Sequence, residues 1–164
     1  MLDALSAQLP SEVWPTATLV LTPEEYFERV RRVCLISPDA LELIQHLLKL
    51  PSREVRPRRV SFDRVAGRHL VSHEGMWSYK SLEEGAAKEK GLGPLSLSEV
   101  FVARLLHYER STEERTRVFC EDPLRRERCF EFSVNRSGRK YISAFSSSPN
   151  PRFRTDEHWI GKLK

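Results

Sequence analysis

Cysteine is scarce in this 164-residue chain, and Cys34, Cys120 and Cys129 nowhere fall into C-x-x-C spacing. Zinc-finger and thioredoxin-type chemistry both need closely paired thiolates, so the three read as reduced thiols at the edge of a core. Glycine is also sparse, at 7 residues. It is never grouped into the Gly-rich turn with Gly-Lys-Ser that cradles nucleotide phosphates, nor into a dinucleotide fingerprint. No serine occupies Gly-x-Ser-x-Gly, and the zinc-deaminase pattern lacks both its His-x-Glu and its close cysteine pair. Long apolar runs are missing: nothing approaches the roughly 18 consecutive apolar residues of a membrane span. The stretch from Ala17 to Leu21 is short and preceded by Glu12, so it is neither a span nor a secretory leader, and the expected compartment is the cytoplasm.

Acid is the other shortage. Lys and Arg total 27 against 23 Asp and Glu, a formal charge of +4, and the excess is uneven. Between Arg53 and Arg68 stand six arginines (with Arg56, Arg58, Arg59 and Arg64) and only Glu54 and Asp63; a second concentration runs from Arg115 to Lys140. Arginine heavily outnumbers lysine, and its planar fork matches phosphate better than a point charge does. These features point to a polyanionic partner, RNA ahead of DNA, with an acidic protein as the other choice and no membrane. The candidate phosphate contacts are Arg56, Arg58, Arg59, Arg64, Arg68 and Arg136.

Local signals predict an α+β fold in one domain. Residues 1–51 form its helical part, 52–146 a helix plus an antiparallel sheet, and 147–164 a tail pinned by Trp159. A short helix and an extended piece are expected before Leu21. Thr22-Pro23-Glu24-Glu25 is a capping box with proline in the first turn, and Ser37-Pro38-Asp39 repeats the start signal before Leu41, Ile44, Leu47 and Leu48. Val60 to Phe62 reads as a short strand. Ser81-x-x-Glu84 and Ser96-x-x-Glu99 open two more helices, the second ending near Arg110. Arg117 to Glu121 is a strand, and Asp122-Pro123 a turn. Residues 129–134 and 140–145 alternate between faces around Asn135-Arg136-Ser137-Gly138-Arg139, a hairpin. The expected architecture is N-terminal helices packed on a C-terminal antiparallel sheet of three to four strands, with a structural break at 146–151.

Two sets of residues suggest chemistry. His69-x-x-x-His73-Glu74 has the spacing of two imidazoles on one helix face, but Gly67 and Gly75 bracket only seven residues, so no metal is assigned. Metal-free RNA cleavage needs a base, an acid and cations for the phosphate. His69, His73 and His107 suit the first two tasks, and Arg68, Arg136, Arg139 and Lys140 the third, with Ser143 beside Tyr141 in reach of a bound phosphate. Trp77, Met76 and Tyr79 read as core aromatics and methionine in the first instance, and as a base-stacking platform in the second.

Gly67-Arg68-His69, a following helix, and a meander ending in Gly138-Arg139-Lys140-Tyr141-Ile142-Ser143-Ala144-Phe145 resemble the barnase and colicin-D-type superfamily of ribonuclease toxins. The resemblance covers about residues 60–146. It implies helices before a four-stranded antiparallel sheet and RNA cleavage without metal or other cofactor. It also implies a cleft lined by His69, by Arg139 or Lys140, and by Ser143. The alternative is a non-catalytic module that binds its partner through the basic surface or the N-terminal helical hairpin.

Overall fold

A computed structural model of the chain describes residues 13–50, 56–107, 114–121, 129–145 and 152–163. Arg53, the helix expected before Leu21, the Asp122-Pro123 turn and the 146–151 break lie outside those residues, whereas the helix expected to end near Arg110 stops at Leu106, with its cap at an extended His107. In chain order the elements are β1 (Val13–Leu19), α1 (Pro23–Val33), β2 (Cys34–Ile36), α2 (Pro38–Leu48) and β3 (Arg58–Ala66). A 3-10 turn (Gly67–His69), β4 (Met76–Ser78), α3 (Tyr79–Lys90), β5 (Leu92–Gly93) and α4 (Leu97–Leu106) follow. The last strands are β6 (Thr116–Val118), β7 (Cys129–Val134), β8 (Lys140–Phe145), β9 (Arg152–Arg154) and β10 (His158–Leu163).

The sheet overturns the expectation of three or four antiparallel C-terminal strands. Eight strands form one mixed sheet in the order β1-β3-β10-β6-β7-β8-β2, with β5 joined to β10, and β4 and β9 form a separate pair. The β10–β6 and β8–β2 pairings are parallel. Both ends of the sheet are built from the N-terminal third, β1 at one edge and β2 at the other. The stretch read as a tail supplies β10, which lies between β3 and β6 in the body of the sheet.

Strand alternation sends side chains to two cores, so helices cover both faces. Val60, Phe62, Val118, Phe130, Phe132, Ile142 and Ile160 face α1, α2 and α4. Their chain neighbours Phe119, Cys129 and Trp159, with Val65, face α3 and Phe153 of β9. Trp159 is fully buried there, stacked on Phe119 at 4.5 Å between ring centres and edge-on to Phe153 at 5.1 Å. Three thiols are buried, Cys34, Cys120 and Cys129. Burial, only partly opposed by the nearby Arg117 guanidinium, pushes the Cys129 thiol up to about 12, which keeps it protonated and chemically quiet. Among the described residues no helix is long and apolar enough to cross a membrane.

Helix starts follow the sequence signals. Thr22 and Glu25 close the expected capping box on α1, Ser37 caps α2, and Ser96 with Glu99 caps α4. The start of α3 differs: Ser78, three residues ahead of the expected Ser81, accepts the Ser81 amide. The earlier start is held by Tyr79, whose hydroxyl, buried on the second core, accepts from the Cys120 amide at 2.9 Å.

Gly85, in the middle of α3, permits the closest approach on that face. A methyl group there would overlap the Leu70 carbonyl oxygen and press on its side chain. Gly→Ala inside a helix ordinarily stabilises by about 1 kcal/mol. Here the backbone contact reverses the sign, and Gly85→Ala should cost about 1–3 kcal/mol as α3 is pushed away from the Leu70 segment. A chemical-denaturation midpoint at or above that of the natural protein would contradict this packing.

Candidate nucleic-acid interface

Register brings basic residues from distant parts of the sequence to one end of the sheet. One row of Cα partners runs Ala66 to His158, His158 to Thr116 and Thr116 to Phe132. Just beyond that row lie the 3-10 turn after β3, the turn before β10, the start of β6 and the β7–β8 hairpin. Pairing of Cys34 with Lys140 adds the last turn of α1, which carries Arg31 and Arg32.

The hairpin is a rigid mount. Asn135 Oδ1 accepts from the Ser137 amide (3.1 Å), the Ser137 hydroxyl (2.7 Å) and the Arg139 amide (2.9 Å). Gly138 takes a φ of 80°, the left-handed conformation such a turn needs. Arg136 and Arg139 are therefore presented to solvent from a fixed tip. Lys140, one residue on, turns the other way: its ammonium donates to the Arg104 and Leu105 carbonyls and closes the C-terminus of α4. It is committed to the fold.

The arginines divide into two populations. Inside, Arg64 donates to Glu114 at 2.6 Å and to the Thr116 hydroxyl at 3.1 Å. Arg117 holds Glu131 at 3.0 Å and donates to Glu157 at 2.6 Å, while Arg115, itself exposed, reaches Glu131 from the surface at 2.9 Å. Burial works against the Arg117 charge, but the Glu157 hydrogen bond and the two carboxylates outweigh it and raise its pKa. Outside, Arg32, Arg68, Arg136 and Arg139 are exposed, and none of the four pairs with a carboxylate among the described residues.

Of the expected cleavage residues, His69 is exposed on the 3-10 turn, its Nε2 accepting from Arg68 Nε at 3.2 Å. His107 is buried at the C-cap of α4, with Nε2 3.1 Å from the Thr116 hydroxyl. Ser143 lies opposite Glu131, which is buried and held by Arg115 and Arg117. β3 and β8 are four strand positions apart in the sheet, roughly 19 Å at about 4.8 Å per strand. His69, His107 and Ser143 are thus not brought together around one phosphate. Among the described residues no three His, Cys, Asp or Glu side chains converge to hold a metal ion.

The Arg56–Arg68 run is split by β3, which carries Arg58 and Arg59, with Arg56 just ahead of it, roughly 25 Å from the 3-10 turn at about 3.3 Å per residue. Arg58 is occupied by Glu99 at 3.2 Å and Ser96 at 3.0 Å, while Arg56 and Arg59 stay exposed at the opposite end. Sequence reasoning passed over Arg32. Its signal was the cationic last turn of α1, which also complements the helix dipole. No protein-family model matches the chain, and neither does any curated protein or solved structure.

Proposed function

We propose that the end of the sheet bearing Arg32, Arg68, Arg136 and Arg139 binds the phosphate backbone of a nucleic-acid strand, RNA in preference to DNA, without cleaving it. The observation that carries this reading is the contrast between the two arginine populations. An arginine already matched to a carboxylate, buried like Arg64 and Arg117 or exposed like Arg115, has little charge to offer a ligand, whereas these four at one end of the sheet have kept theirs. A row of guanidinium groups along one sheet end follows a backbone without reading its bases. Cleavage is not proposed: His69 and His73 are exposed, but Ser143 lies across the sheet from them and His107 is buried.

Binding through this row releases counterions, so affinity must fall with salt. For a single strand the slope of log K against log[salt] is about −0.7 per neutralised phosphate, giving roughly −3 for four contacts. Fluorescence anisotropy of a labelled RNA strand over a salt series measures it directly. A flat salt dependence, or no binding at low salt, removes the proposal.

A further inference from the structure

We infer that a nucleobase seats in the cleft lined by Trp77 and His69, next to Arg68, so that the protein grips unpaired strands by stacking as well as by charge. The inference rests on the backbone-binding reading above and names the part of the ligand that a row of arginines cannot recognise.

Two clefts flank the segment from Arg68 to Trp77. One, of about 430 Å³, is lined by Arg68, Gly75, Met76, Arg154 and Thr155 among others. The second, of about 550 Å³, is lined by His69, Leu70, Ser72, Trp77, Glu84 and Lys88 among others. Arg68 and His69 join the two, as do Met76 and Trp77. Both clefts open at the cationic end, because β4 pairs Met76 with Arg154 and the Arg68 amide bonds to the Thr155 carbonyl at 2.8 Å.

Trp77 is a surface aromatic held in place, as a stacking platform must be. Its indole nitrogen donates to the His73 carbonyl at 3.0 Å, and the His73 ring lies 4.7 Å away at a 53° tilt. It is only partly buried, one side packed against the second core into which Tyr79, two residues on, is fully absorbed. Met76, a flexible apolar side chain, is 55% exposed beside it. The second cleft is large enough to admit a base and combines an aromatic ring and apolar Leu70 with hydroxyl and carboxylate acceptors. The Glu84 and Glu89 carboxylates on its rim favour bases with an exocyclic amine, such as adenine. They also repel phosphate, which directs the backbone toward Arg68.

The test compares a short labelled oligoadenylate with an abasic strand of equal length, using the full-length natural protein, Trp77→Ala and Trp77→Phe. The natural protein should bind oligoadenylate more tightly than the abasic strand. Trp77→Ala should lose roughly tenfold on oligoadenylate, within the range measured for loss of one stacked base, and nothing on the abasic strand; Trp77→Phe should keep most of the affinity. Equal affinity of the natural protein for both strands, or an equal loss on both in Trp77→Ala, overturns the base site while leaving backbone binding intact. Failure of the natural protein to bind even the abasic strand overturns the backbone reading and the base site with it.

Discussion

Arg104→Ala is expected to lower the free energy of unfolding by about 3–5 kcal/mol, more than any surface arginine change in this chain. Arg104 sits on α4 with no exposed surface. Its guanidinium donates to the Ser133 carbonyl on β7 at 3.3 Å, the Tyr141 carbonyl on β8 at 3.2 Å and the His107 carbonyl at 2.8 Å. It also lies 4.6 Å from the centre of the Phe132 ring. One side chain therefore joins the end of a core helix to two central strands. Truncation removes three charge-assisted hydrogen bonds to backbone carbonyls and opens a void beneath the helix. Arg104→Lys should recover only part of the loss, since a single ammonium cannot span three acceptors set out for a planar fork. In a chain of this length each kcal/mol moves Tm by about 2–4 °C, so Arg104→Ala should melt roughly 10 °C lower. A urea midpoint within about 1 kcal/mol of the natural protein, at unchanged slope, would show that the guanidinium does not hold α4 to the sheet.

Arg104 also marks where the sequence stops being readable. Features set by neighbouring residues were legible: the capping boxes at Thr22 and Ser96, and strands 129–134 and 140–145 with the Asn135 turn between them. Features set by partners far along the chain were not. β3 reads as a fragment because Arg58 and Arg64 interrupt its apolar pattern, yet Arg64 is buried once Glu114 reaches it, and Arg58 is half-covered by Glu99. β6 was legible as the strand expected from Arg117, and the structure adds why a covered position accepts that arginine: it is matched to Glu131 and Glu157. β10 looks like a tail since Gly161 and Lys162 dilute its apolar residues. The glycine is needed there because a methyl group would press on the Gly93 carbonyl and on Leu92. The Lys162 ammonium is taken up by Glu99 at 2.9 Å. The same blindness governs the site. Composition revealed an arginine excess, but only the fold separates arginines consumed by distant carboxylates from those left facing solvent.

That separation yields the sharpest functional expectation. Replacing Arg32, Arg68, Arg136 and Arg139 together with Ser should weaken RNA binding at low salt by at least a hundredfold and flatten the salt slope by about 3. Stability should change little, because none of the four side chains is buried or held in an ion pair with a described carboxylate, and surface changes of this kind usually stay within about 0.5 kcal/mol each. The matched control is Arg56→Ser with Arg59→Ser at the opposite end of β3, equally exposed and expected to alter affinity only a few-fold. Both proteins lose positive charge, so a general dependence on net charge would make their effects scale with the number of residues removed. Dependence on one end of the sheet would not. Substituting the same four positions with Lys separates charge from shape: the salt slope should persist, since the phosphates are still neutralised, while affinity drops because an ammonium cannot form two parallel bonds to one phosphate. If the Ser variant keeps the natural slope, the anion is held elsewhere on the chain, and the exposed pair Arg56 and Arg59 becomes the place to look.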